Sequence, residues 1–370
     1  MAVIIPDSSV FAGTFPYTGG LRKGSVTMRQ TIGAGLLLLL LLFLPPWLRA
    51  EETTNTGGST AAPLQTEQSV PNSGTGSDAA HTVRLWNGSA VETMTAAEYL
   101  PGVVRGEMPA AFETEALKAQ AVAERTYLYY RVASAPKDSH PDADVCTDPA
   151  CCTAWLSEAD ARAKWGDKFD QCEVKIQQAV TDTDGQVVLY EGAPIMAVFH
   201  SSSAGATAAS GDVWAAELPY LVSVKSPEDA DSVPNYYSVN TFTAEEFRTI
   251  FCKAYPEAKL SGDTGGWVKD VLLTDTGRVA SATVGGVSVT GKELRSLYGL
   301  RSTAFTVEAS GDSVTFRVTG YGHGVGMSQY GANELARQGK TWQEILMWYY
   351  ADITIGPAPE TVQTAESVVD

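Results

Sequence analysis

The sequence predicts an α+β fold of mixed strands and helices, and three observations carry that reading. From about Glu113 onward, Leu117, Ala121, Leu128 and Val132 recur on one helical stripe, with Ala116, Ala119 and Ala123 beside it as small residues that permit close packing. Hairpin signals stand elsewhere, at Asn87-Gly88 between residues 82–86 and 89–93, and at Gly285-Gly286 inside 282–289. Phe305, Val307, Val314, Phe316 and Val318 fall at period two on either side of Ser310-Gly-Asp, which reads as two strands.

Taken in order, the chain begins with Arg22, Lys23 and Arg29 ahead of the apolar run 32–48, which is at the short limit for a membrane span. Positive charge before the run and Glu51-Glu52 after it place the N-terminus in the cytoplasm and all that follows outside. Residues 1–31 are therefore expected to be a cytoplasmic segment and 32–48 a single-pass transmembrane helix in the cell membrane. A cleaved signal peptide ending at Ala50 is the alternative, although Leu48 is a poor partner for Ala50 in a small-x-small cleavage site. Residues 49–81, rich in Thr, Ser, Gly, Asn and Gln, cannot bury a core and read as a flexible tether. A folded region spans 82–355, and 356–370 is an acidic, loose tail.

Within the folded region, Thr95 and Glu98 make a capping box that starts a short helix ending near Gly106. Pro109 keeps Met108 out of the helical region, so Glu107 sits at a turn between that helix and the next. An irregular cysteine-bearing stretch leads to 174–180, a helix or a strand. Residues 186–200 then read as two short strands around Glu191-Gly192, the second delivering His200 to an edge. A small helix near 244–255, the Gly285-Gly286 hairpin and a helix capped by Thr290 and Glu293 suggest a smaller second lobe over about 240–300. Gly339 stops one helix, and Thr341 with Glu344 caps another.

With 370 residues, 44% of them hydrophobic, the chain can bury a sizeable core. Its formal net charge of −17 excludes nucleic acid as a partner, since no basic face is available to displace counterions from phosphates.

Two segments carry the chemistry. The first, 105–127, reads Arg-Gly-Glu-Met-Pro-Ala and then Glu-Ala-Leu-Lys-Ala-Gln-Ala-Val-Ala-Glu-Arg-Thr-Tyr. It fixes Glu107 in a turn, where an apolar or closed setting would raise a carboxyl pKa enough to make a general acid. Glu113, Glu115 and Glu124 read as solvated residues of the following helix. The second is Gly320-Tyr-Gly-His-Gly-Val-Gly-Met-Ser-Gln-Tyr-Gly-Ala332, which lacks the Lys of a phosphate loop and the strand–helix setting of a dinucleotide fingerprint. Gly-x-Ser-x-Gly is absent, so His200-Ser-Ser-Ser203 is a weak case for a serine nucleophile. His140, Cys146 and Cys152 offer one imidazole and two thiolates, a suitable zinc set with a fourth position open, although the spacing alone is a weak signal. Cys151 can stand in for Cys152. The competing reading is disulfides, for which Cys172 and Cys252 supply partners.

These segments, with 200–207 and Asp212-Val-Trp214, resemble the stage II sporulation protein D family, lytic transglycosylases of endospore-forming bacteria, and the resemblance covers roughly 82–355. It implies a fold built around a glycan-binding groove and an enzyme that cleaves peptidoglycan between N-acetylmuramic acid and N-acetylglucosamine with formation of 1,6-anhydro-muramic acid. Glu107 would be its single acid/base. Zinc at His140, Cys146 and Cys152 is implied by members with a like site beside the groove. His200, Ser201, Ser203, Thr207, Gly322, His323, Gly324, Met327, Ser328 and Gln329 are the expected substrate contacts, while Trp214 and Tyr220 are either groove aromatics or core residues. Engulfment during sporulation, with stage II sporulation proteins P and M as partners and strands stripped of stem peptides as preferred substrate, completes the expectation. Two rivals stand beside it: an inactive wall-binding or scaffold module, and a zinc amidase that releases stem peptides.

Overall fold

The computed structural model describes residues 78–214 and 216–359. The expected cytoplasmic segment, transmembrane helix, most of the tether and most of the acidic tail lie outside them. Among the described residues no helix is long and apolar enough to cross a membrane.

The chain opens with an antiparallel hairpin, β1 (Thr82–Trp86) and β2 (Val91–Thr95), in which Trp86 lies opposite Val91. The connection is four residues long rather than the expected two-residue type I′ turn. Asn87 N–H donates to Ala90 O, while Asn87 Oδ1 accepts from the N–H groups of Ser89 and Ala90. The asparagine side chain and backbone close the turn together, and of the two expected positive φ angles only Gly88 has one. The capping box at Thr95 and Glu98 then starts α1 (Ala96–Glu107). The next helix, α2 (Thr114–Ala133), is the centre of the main core: Leu117, Ala119, Ala121, Val122, Ala123 and Leu128 are all buried.

The cysteine-bearing stretch contributes β3 (Val145–Cys146), which pairs in parallel with β1. Two helices follow, α3 (Glu158–Trp165) and α4 (Phe169–Thr181), the latter settling 174–180 as helix. At β4 (Gln186–Tyr190) and β5 (Ala193–Pro194) the hairpin takes the type I′ form, with Glu191 at φ 50° and Gly192 at φ 83°. The second strand stops at Pro194. His200 belongs instead to a separate two-residue strand, β6 (Phe199–His200), and is buried rather than placed on an edge. One turn of helix, α5 (Ser210–Val213), follows.

A second hydrophobic core begins with β7 (Tyr237–Thr243) and α6 (Ala244–Ala254). It continues through β8 (Val268–Leu273), β9 (Val279–Val284), β10 (Val287–Thr290), α7 (Gly291–Leu297), β11 (Phe305–Ser310) and β12 (Ser313–Thr319). These strands make two three-stranded sheets, ordered β10-β9-β8 and β11-β12-β7. Phe247, Phe251, Trp267, Tyr298 and Phe316 pack between them, and the rings of Phe247 and Tyr298 stack at 4.7 Å. The chain then returns to the main core through β13 (Met327–Ser328), α8 (Gln329–Arg337), α9 (Trp342–Tyr349) and β14 (Thr354–Pro357), the last pairing with β4. β13 pairs in parallel with β6, placing Met327 opposite Phe199 and Ser328 opposite His200.

Asp78, four residues before β1 and expected in the tether, is buried against α2. Its two carboxylate oxygens accept from Arg125 Nε and Nη2 at 2.7 Å each, and the arginine side chain has no exposure. The pair ties the start of the described chain to the central helix.

Candidate active site

α1 ends at Glu107 because Met108 is extended, φ −122° and ψ 136°, as a residue before proline must be. The Glu107 side chain turns inward and is 1% exposed. Residues 154–155 lie flat across α1, and two glycines make that approach feasible. A Cβ at Gly106 would stand 2.6 Å from Ala154 O, and one at Gly102 would stand 2.1 Å from Trp155 Nε1. From this segment Ala154 N–H donates to Glu107 Oε1 at 2.5 Å, whereas Glu107 Oε2 is buried without a partner. Burial, only partly offset by the Ala154 N–H, raises the Glu107 pKa to about 8. At neutral pH the group is an acid holding its proton.

A second carboxyl, Glu124, lies in the same interior. Its reading as a solvated helix residue is overturned: it is 1% exposed, and Oε1 accepts from Gln120 Nε2 at 2.9 Å. Burial first, and the charge of Glu107 second, push its pKa well above the usual range. α2 is packed by α1, α4, α8, α9 and β4, so it has no solvent face there. The available signal was the run of alanines around Glu124, which marks a helix buried all round rather than along one stripe.

The glycine-rich stretch after β12 reaches this interior from the other side. Gly326, at φ 72°, passes so close to β6 that a Cβ would lie 2.1 Å from Val198 O. Gln329 Nε2 then donates to the carbonyl of Glu107 at 3.0 Å, while Gln329 Oε1 is buried without a partner. Ser328 caps α8 by accepting from Gly331 N–H and donates its hydroxyl to Glu228. That glutamate also accepts from Ser203 N–H at 2.6 Å and from the Ser226 hydroxyl at 2.5 Å. Glu228, which no motif marks, thus joins three segments.

The other expected contacts sit around this joint. His200 Nδ1–H donates to Val325 O at 3.2 Å, so Nε2 accepts from the Ser203 hydroxyl at 2.7 Å. Burial, then Arg278, presses the His200 pKa down to about 3. The pair has a backbone carbonyl rather than a carboxylate behind its ring and is fully enclosed. Thr207 Oγ1 accepts from Val224 N–H at 2.9 Å and donates to Val222 O; Ser201 is buried; Met327 lies in the main core. His323 Nδ1 accepts from Val325 N–H, and its ring lies 5.7 Å from His200 and 5.4 Å from Trp214. Gly322 N–H donates to Arg301 O, and Gly324 O accepts from Ala208 N–H. Tyr220 belongs to the main core, its hydroxyl accepting from Met196 N–H.

His140, Cys146 and Cys152 come together, and Cys151 joins them: one ligand atom from each of the four lies within 4.8 Å of the others. His140 Nδ1–H donates to Ala143 O at 3.1 Å, which leaves the Nε2 lone pair facing Cys152 Sγ at 3.4 Å. A carbonyl that accepts from Nδ1–H fixes the tautomer a metal at Nε2 needs. Lys137 Nζ stands 3.7 Å and 3.6 Å from the sulfurs of Cys151 and Cys152. Burial pushes the Cys146 thiol up to about 12. At Cys151 burial is outweighed by hydrogen bonds with Ser139 and Cys146 and by Lys137, which bring it to about 7. All five cysteines are unpaired, so the alternative disulfide arrangement is not formed. One imidazole and three thiols fit a tetrahedral site for a soft divalent ion such as zinc.

The family model described as Stage II sporulation protein matches residues 87–190. Stage II sporulation protein D of Bacillus subtilis is 37% identical over 273 residues, covering 73% of this chain and 76% of that protein. Its counterpart in Bacillus amyloliquefaciens is 38% identical over 271 residues, with the same coverage of 73% and 76%. The amidase enhancer of Bacillus subtilis is 29% identical over 305 residues, 69% of this chain and 40% of that protein.

Proposed function

The chain belongs to the stage II sporulation protein D family, and from that premise we propose that it is a lytic transglycosylase of peptidoglycan, cutting between N-acetylmuramic acid and N-acetylglucosamine. The observation that carries the reading is Glu107, a carboxyl closed in the protein interior with one N–H donor and a pKa of about 8. Such a group can protonate the glycosidic oxygen as the bond to the anomeric carbon breaks. The C6 hydroxyl of the same muramic residue then attacks that carbon, and the Glu107 carboxylate takes the hydroxyl proton. The products are a 1,6-anhydro end and a free hydroxyl on the departing sugar, with Glu107 protonated as at the start. Because the attack is intramolecular, no water need be activated. Ala154 N–H holds the carboxylate while it is charged.

His140, Cys146, Cys151 and Cys152 would hold zinc, which when bound braces the loop that ends at Ala154. The apolar run 32–48 would anchor the enzyme in the membrane with its folded part outside, and engulfment beside stage II sporulation proteins P and M is the setting we assign. A second reading follows from the amidase enhancer relative: a module that binds glycan and assists an amidase without cutting.

Mass spectrometry of products from peptide-stripped glycan strands, with the full chain and with Glu107→Gln, separates these. Anhydro-muramic ends from the unsubstituted chain, with a loss of about 10²–10⁴-fold in Glu107→Gln, are expected. Reducing ends would make the enzyme a hydrolase that uses both carboxyls. Absence of products from either chain would leave the binding module.

A further inference from the structure

The turn that carries Glu107 is gripped at both ends by one helix. From the start of α8, Gln329 Nε2 donates to Glu107 O at 3.0 Å, and Asn333 Oδ1 accepts from Glu113 N–H at 2.7 Å. Between these two contacts the Tyr330 ring meets Phe112 edge-on, with centroids 4.9 Å apart. α4 adds one further hold, Lys175 Nζ donating to Phe112 O. Three neighbouring side chains of α8 thus fix the first residue, the last residue and the one aromatic ring of 107–113. Where α8 stands decides where the acid stands.

The start of α8 is fixed in turn by Glu228, which is 2% exposed. Its Oε1 accepts from Ser203 N–H at 2.6 Å and from the Ser328 hydroxyl, and its Oε2 accepts from the Ser226 hydroxyl at 2.5 Å. Since Ser226 gives its proton to Glu228, the Tyr349 O–H donates to Ser226 Oγ, at 2.8 Å. Ser328 likewise gives its proton to Glu228, and its oxygen caps α8 by accepting from Gly331 N–H at 3.2 Å. A Cβ at Gly331 would stand 2.5 Å from Glu228 Oε2 and 2.1 Å from the Tyr349 hydroxyl, so the first turn of the helix is pressed onto this group. A carboxylate suits the place, because the N–H groups of a first turn and the helix dipole favour negative charge there. The ladder between β6 and β13 is only two residues long. Glu228 extends it by joining Ser203 beyond one strand to Ser328 in the other.

We infer that Glu228 is a positioning residue for Glu107: it fixes the start of α8, and α8 holds the turn 107–113 in the geometry that proton transfer needs. The inference rests on the glycan-cleaving reading above. Glu228 makes no hydrogen bond with Glu107; its effect passes through Ser328 and the next residue, Gln329. Three donors converge on its two oxygens, which a carboxylate can satisfy and a carboxamide cannot, since the amide would set N–H against a donor. Misplacing a reacting group by about 1 Å can cost about 10²-fold in rate. The loss belongs to the chemical step, so it falls on kcat and spares KM.

Hydrogen–deuterium exchange and kinetics on the full chain test this together. In Glu228→Gln the amides of 107–113, Glu113 N–H among them, should exchange at least about tenfold faster, while those of the buried part of α2 keep their rate. On peptide-stripped strands kcat for anhydro ends should fall about 10–100-fold, with KM changed by less than about twofold. Gln329→Ala cuts the same line at its far end and should lower kcat in the same way, and the double variant should fall no further than the weaker single one. Exchange that quickens equally throughout the chain would make Glu228 a general support and overturn the inference. Unchanged exchange at 107–113, a loss confined to KM, or losses that multiply in the double variant would overturn it as well. Where Glu228→Gln fails to fold, Ser328→Ala, which removes the donor on α8 and leaves the other two, carries the same expectations, and unchanged exchange at 107–113 is again the overturning result. Exchange is read without turnover. Faster exchange at 107–113 in a protein whose unsubstituted chain releases no anhydro ends would remove the lytic reading and keep the positioning; anhydro ends with undisturbed exchange would do the reverse.

Discussion

The loop 321–329 runs between a pair of buried carboxyls and a group of arginines. At one end, among the described residues, Glu107 and Glu124 have between them one backbone N–H and one carboxamide as donors, and no cation hydrogen-bonded to either. At the other, Arg278 and Arg301 leave donors unspent. Elsewhere, Asp78 with Arg125 shows what the protein does when it buries charge for support: both oxygens and two nitrogens are matched. The contrast teaches that partnership decides the state of a buried charge. A carboxyl without a cation retreats to its neutral acid, whereas a guanidinium, unable to do so, keeps its charge.

The largest effect that would break this comparison is on the paired strut. Asp78→Ala leaves Arg125 charged and buried, and should cost about 3–5 kcal/mol in urea unfolding; a loss below about 1 kcal/mol would mean the pair is no strut. Next comes Gly324→Ala, which places a methyl group against the Arg278 guanidinium at φ 87°. It should destabilise by about 1–3 kcal/mol while leaving the titration of Glu107 in place. A shift of that titration would show that the two clusters are one.

The smallest effect concerns proton affinity. Since the Glu107 pKa is raised, the acid form is present below it and activity should fall as pH climbs through about 8. The sign is the same for stability: the contribution of neutral Glu107 is full below the unfolded carboxyl pKa of about 4.3 and is lost as pH rises through about 8. Burial, then the charge of Glu107, push the Glu124 pKa well above the usual range, whereas it is burial and not Glu124 that raises that of Glu107. Glu124→Gln should therefore move the basic limb of the pH–rate profile by less than about half a unit. A fall of a full unit would show that Glu124 carries charge and that the acidic cluster is a dyad.

What could be read in advance follows the range of the interaction. Thr95 with Glu98, Thr290 with Glu293 and Thr341 with Glu344 cap helices through contacts three residues apart, and all three appear as the sequence predicts. The Glu191-Gly192 and Gly285-Gly286 turns are equally local, with both central φ angles positive. Asn87-Gly88 departs because one side chain supplied hydrogen bonds that the dipeptide rule does not count. Glu124, Glu228 and the arginines were not legible: their states depend on elements that meet only in the folded chain. Cys151 is intermediate, a neighbour of Cys152 whose membership in the cluster needed the loop geometry.

The hydrogen bond from Gln329 to the Glu107 carbonyl spans 222 residues of sequence, and β6 finds its parallel partner only in β13. A nascent chain emerges from the ribosome with its acid long before the residues that position it. Contacts of such separation form late, after the chain between them has ordered. Chains stalled or clipped before residue 327 have no β13 and no α8. The fold thereby acts as a checkpoint on synthesis: the setting of Glu107 is complete only in a finished molecule.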